Sequence, residues 1–130
     1  MPQLALLVLV AVAVLMFKHM LADFYLQSAY QYLNKRTYGH PGGIMHAGIH
    51  VALTPLVYLV LAPASLLLVA AIALGEFIVH YHTDWLKEQL THSNGWTAQD
   101  RCFWLALGTD QLVHGITYLM IVGALVAFAA

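Results

Sequence analysis

Apolar residues run almost unbroken from Leu4 to Phe17, from Val51 to Leu61, from Leu66 to Leu74 and from Leu119 to Ala129. Beyond each run the polar residues return at helical spacing rather than alternating, which extends every run into a helix. The pattern predicts helices over about residues 4–33, 44–61, 65–89 and 101–128, each long enough for a bilayer that takes roughly 20 residues per span. Pro55 removes one backbone hydrogen bond and is expected to bend the second. The polar stretch Asn34 to Gly43, ending in His40-Pro41-Gly42-Gly43, reads as a loop. Ala62-Pro63-Ala64 is a tight connection, and His92 to Asp100, with Asn94-Gly95, a second loop. The first run has the length of a signal-peptide core, but no basic residue precedes it and the apolar pattern continues through Leu26, so a retained helix is expected.

Composition turns four apolar helices into a class. Of 130 residues, 62% are hydrophobic and only 8% charged, which predicts an all-α integral membrane four-helix bundle forming one domain over residues 1–130. The net charge of -1 offers no basic stripe, so nucleic acid is not an expected partner. The single cysteine, Cys102, excludes an intrachain disulfide and a multi-cysteine metal site. Lys35, Arg36, Lys87 and Arg101 all fall in or beside the first and third connections. The positive-inside rule makes that side cytoplasmic and places both termini outside.

Against so apolar a background, four pairs of potential metal ligands stand out: His19 and Asp23, His46 and His50, His80 and Asp84, Asp110 and His114. Each pair is spaced i, i+4 and so shares one helix face. Intramembrane ionisable groups are costly and usually functional. Counting about 1.5 Å per residue from the loop-bearing helix ends puts the pairs between roughly 3 and 20 Å from that side. The first two pairs are 27 residues apart and the last two 30, so the chain reads as two related hairpins about an axis along the membrane normal. Such a bundle offers two similar ligand sets at its centre, as soluble dimetal bundles do.

The expected cofactor is therefore a pair of divalent ions. Five histidines and three aspartates suit zinc, iron, manganese or nickel, and disfavour thiolate-loving metals. Glu76, one turn before His80, is the candidate general base, with bridging or bracing a ligand as its other roles. Gln27, Lys87 and Gln111 extend the same faces and are candidates for gripping a substrate head group. Lys18 beside His19 could lower nearby carboxylate pKa values. Hydrogen-bonding glue between helices explains any one pair but strains to explain four. Axial haem ligation accounts for neither the aspartates nor the paired spacing. His82 falls on another face, His40 and His92 lie in loops, and Cys102 reads as a packing residue. Trp85, Trp96 and Trp104, with Tyr30, Tyr32 and Tyr38, read as an interfacial belt.

The segments H-M-L-A-D-F-Y-L-Q at 19–27, H-A-G-I-H at 46–50, E-F-I-V-H-Y-H-T-D-W-L-K at 76–87 and D-Q-L-V-H at 110–114 together resemble a family of small bacterial multi-pass membrane proteins of unknown function. The resemblance covers most of the chain and implies a bacterial cytoplasmic (inner) membrane location, without an activity or a metal. Histidine pairs in a membrane bundle also invite analogy with membrane metal-dependent hydrolases and di-iron oxygenases, though the H-x2-H-H repeats of desaturases are absent. The residues favour a metal-dependent hydrolase acting on a lipid or isoprenoid head group. The alternatives are a di-iron oxidoreductase acting on a lipid chain, and a metal transporter or sensor. Featureless apolar outer halves argue against a through-pathway and for a pocket opening inward. Self-association through the outer apolar faces is open.

Overall fold

A computed structural model describes residues 2–129. The chain is all-helical: α1 (Pro2–Met20) passes through a π-helical turn (Leu21–Tyr25) to the short α2 (Ala29–Asn34). There follow α3 (Pro41–Leu53) with a 3-10 continuation (Thr54–Leu59), α4 (Leu66–Ser93) and α5 (Arg101–Ala127). Four helical stretches are long and apolar enough to cross a membrane: Pro2–Tyr25, Pro41–Leu59, Leu66–Ser93 and Arg101–Ala127. Only 17 to 39% of the most apolar window in each is buried within the protein, so leucines such as Leu9, Leu66, Leu67 and Leu119 point outward. In water that surface would be a liability; against lipid tails it is the expected exterior.

The spans close into a ring. α1 packs on α5 and on α3 with its 3-10 continuation, and α4 packs on α3 and α5. At the end bearing the termini the interior is apolar: Ala11, Leu15, Val57, Ile72, Ile121, Val122 and Leu125 form one cluster with Tyr118 at its edge. At the opposite end, where the connections after α1 and α4 lie, the interior is polar. The bundle is therefore plugged at one end and chemically furnished at the other.

Three local features differ from the helices expected of the sequence, and each shapes the polar end. The helix expected over 4–33 is divided: Leu26 N–H donates to Leu21 O at 3.0 Å, five residues back, which opens a π-turn around Asp23. Ser28 N–H then donates to the Gln31 side chain at 2.9 Å, half of an S-x-x-Q capping box that starts α2. Second, α3 begins at Pro41 and not near Ile44, capped by His40 Nδ1 accepting from Gly42 N–H at 3.0 Å. Those extra residues lower His46 by about 4.5 Å along the helix. Third, Pro55 converts the end of the second span into a 3-10 helix.

The α2–α3 contact depends on an absent side chain. A Cβ on Gly42 would lie 2.6 Å from Tyr30 O, and one on Gly43 3.4 Å from the Tyr81 ring. Tyr81 in turn accepts a 2.6 Å hydrogen bond from Gly39 N–H. The segment after α1 is thereby held down across α3 and α4, at the mouth of the polar interior. In the connection to α5 the Asp100 carboxylate accepts from Thr97 N–H at 2.7 Å and Thr97 Oγ1 at 3.0 Å, which holds its pKa below the ordinary value.

Candidate metal centre

All five helix-borne histidines of the paired motifs converge. His80 lies near the middle, its ring 3.8 Å from His50, 4.2 Å from His114, 5.2 Å from His46 and 6.1 Å from His19 between centroids. Exposure is at most 3% for His46, His50, His80 and His114, and 9% for His19. Each half of the chain contributes an aspartate around which its own histidines gather. Asp23 carboxylate oxygens lie 3.0 Å from His19 Nε2, 3.2 Å from His46 Nε2 and 3.0 Å from His50 Nε2. Asp84 lies 3.5 Å from His80 Nε2 and 3.2 Å from His114 Nε2, and reaches across to His46 Nε2 at 3.3 Å.

Two groups have donor atoms close enough to hold a metal ion: Asp23, His46, His50 and His80, and His80, Asp84 and His114. A structural hydrogen-bond network would satisfy these atoms; this arrangement does not. His46 Nδ1 and Nε2, His80 Nε2 and Asp110 Oδ1 are buried without a hydrogen-bond partner among the described residues. His46 Nε2 sits almost equidistant from two carboxylates and hydrogen-bonds to neither. Buried polar atoms are nearly always paired, so several unpartnered ones beside one another mark a place that could hold an ion. The donor set of imidazole and carboxylate fits a divalent transition ion, as the sequence expects.

Of the remaining candidates, some border this cluster and others do not. His19 Nδ1 lies 2.6 Å from Tyr118 Oη, and its Nε2 3.2 Å from Gln111 Oε1, so both nitrogens are engaged beside the cluster. Asp110 Oδ1 is 3.4 Å from His114 Nε2, while its Oδ2 accepts from Gln111 at 3.0 Å. Gln111 thus braces His19 and Asp110. Gln27 is occupied with its own helix, donating to Asp23 O at 3.1 Å. Lys87 pairs with Glu88 and lines an apolar cavity of about 380 Å³ between α4 and α5, with Leu86, Leu90, Trp96, Leu105 and Asp110. Glu76 is 2% exposed, with one oxygen on Lys18 and the other accepting from Thr54 Oγ1 at 2.5 Å. His82 faces Tyr38 on the outside, and His92 contacts Arg36.

Two residues matter more here than their sequence setting suggests. Lys18 is fully buried and donates to Glu76 and, at 2.8 Å, to His50 O, tying α1 to α3 and α4 just beyond the cluster. Its signal was a lysine closing an apolar run. Lys35, by sequence a loop residue voting on topology, is only 7% exposed, and its Nζ lies 2.8 Å from Asp84 Oδ2. No local pattern marks it, because its burial depends on α2 folding back over α3.

A family model described as "Protein of unknown function (DUF3307)" matches residues 10–130. Neither the curated proteins nor the solved structures include a match.

Proposed function

The chain belongs to that family of unknown function, and from its buried donor set we propose that it is a metal-dependent hydrolase of the bacterial cytoplasmic membrane, acting on a lipid or isoprenoid head group from the cytoplasmic side. What carries the reading is the convergence of unpartnered nitrogens of His46 and His80 beside Asp23 and Asp84 inside a membrane bundle, where unused ionisable groups are expensive. Asp23, His46 and His50 would hold one ion and His80, Asp84 and His114 a second, one from each hairpin. Ions held there would supply Lewis-acid activation of water and of a phosphoryl oxygen.

The chain's own residues divide the other tasks. Asp110, buried and with an unpartnered oxygen, faces both the cluster and the α4–α5 cavity. It is the carboxylate placed to take a proton from water. Glu76, whose two oxygens are engaged by Lys18 and Thr54, fixes the backbone at His50 through those partners. The apolar cavity beside Asp110 would seat part of a hydrocarbon chain, with Lys87 on its wall and Trp96 lining it; its volume lies within the roughly 300–1,000 Å³ usual for ligand sites. The apolar cluster around Leu15 and Leu125 excludes water from the far side.

Elemental analysis of the detergent-purified protein tests this. Zinc or manganese at one equivalent or more per chain is expected. His80→Ala, which stands in both donor groups, should remove the second ion and weaken the first. His19→Ala should weaken it by about 10–100-fold, the usual cost of losing a bracing group. Wild-type protein with no metal above background would overturn the proposal. Iron with a dioxygen-sensitive visible band would instead move it to an oxidoreductase acting on the chain held in the cavity.

A further inference from the structure

The charges gathered at the centre do not balance for two ions, and the imbalance has a definite sign. Asp23, Asp84 and Asp110 bring three negative charges, and Lys35, 2.8 Å from Asp84, brings one positive. The other charged side chains nearby cancel in pairs, Lys18 with Glu76 and Lys87 with Glu88. Imidazoles must be neutral to bind a metal. The protein's own share is therefore two negative charges. One divalent ion neutralises it; a second leaves two positive charges in a site walled by membrane-spanning helices, where uncompensated charge is strongly disfavoured.

We propose that the centre takes its second divalent ion only together with a phosphoryl dianion, inorganic phosphate or the monoester phosphate of a lipid, and that Lys35 sets this requirement. This rests on the reading of the centre as a two-ion site. A phosphate monoester carries close to two negative charges at neutral pH, which closes the balance; a carboxylate or phosphodiester closes half of it. Lys35 follows the last residue of α2, outside the four spanning stretches. Its ammonium therefore lies where an anion arriving from the loop side would meet the centre, and it can exchange Asp84 for a phosphoryl oxygen. Metal and phosphate are then coupled ligands, each raising the affinity of the other by the same factor.

Equilibrium dialysis of the full chain in dodecyl maltoside against manganese at fixed free-ion concentration reads the coupling directly. With chloride as the only anion, one equivalent is expected. Inorganic phosphate or dodecyl phosphate should bring in a second, with its apparent affinity raised on the order of tenfold or more. A second equivalent gained only with dodecyl phosphate assigns the anion to a lipid, and an equal gain with both assigns it to the phosphate group alone. Lys35→Gln makes the protein's share three negative charges, so two ions leave one positive charge, a monoanion such as acetate should suffice to bring in the second, and the phosphate effect should shrink; Lys35→Arg should behave as wild type. Two equivalents in chloride, or one equivalent unmoved by phosphate, would overturn the inference while leaving a metal centre in place. Absence of any bound manganese, and of zinc in the same dialysis, would instead overturn the metal reading beneath it.

Discussion

Lys18 and Glu76 form an ion pair with side-chain exposures of 0% and 1%, and such a pair is strong evidence about mutation and weak evidence about net stability. Removing one partner leaves the other charge buried, at a cost of about 3–5 kcal/mol. Replacing both with apolar groups of similar size is often neutral. Glu76→Gln should therefore lower the melting temperature sharply in detergent, and Lys18→Met with Glu76→Leu should recover most of the loss. Equal melting of Glu76→Gln and wild type would mean the pair is not ionised. The eight paired ligands were readable one by one, because His and Asp four apart in an apolar run are conspicuous. Lys35 was not: only its contact with Asp84 gives it a role, and that contact lies 49 positions along the chain.

At the scale of elements, the α1–α2 segment decides whether the centre is closed. The π-turn at Leu21–Tyr25 offsets Asp23 from an unbroken helix, a distortion frequent at functional sites, and the tight α2–α3 approach carries Lys35 inward. Gly42→Ala would set a Cβ against the Tyr30 carbonyl, and overpacking of this kind costs about 1–3 kcal/mol. The expected outcome is a lower melting temperature together with faster amide exchange in α2, read by mass spectrometry. Unchanged exchange there would show that α2 holds its place by other contacts. Four helices and their connections followed from hydropathy and turn residues. The division of the first helix did not, since Phe24, Tyr25 and Leu26 continue its apolar pattern and the Ser28-x-x-Gln31 cap was the single stop signal.

Across the whole molecule, apolar cohesion is concentrated at the terminal end and the ligand cluster holds the other. An ion binding only the folded state adds stability by mass action, about 2.7 kcal/mol at a hundredfold excess over its dissociation constant. Chelation with EDTA should therefore lower the melting temperature, with protection in α3 to α5 lost first at the loop end, and added zinc or manganese should restore it. A melting temperature indifferent to both would show that the cluster stands without metal. Acid should act like the chelator, because protonated imidazoles release the ion. Class, spans, connections and the helix face of every paired ligand were legible along the linear chain, since hydropathy and the 3.6-residue period are properties of neighbouring residues. Helix packing is what sets His80 between both donor groups, engages Glu76 with Lys18 and closes Lys35 on Asp84. Those facts depend on how four helices are rotated and how closely two glycines let α2 approach α3, and no local pattern encodes the meeting of distant segments.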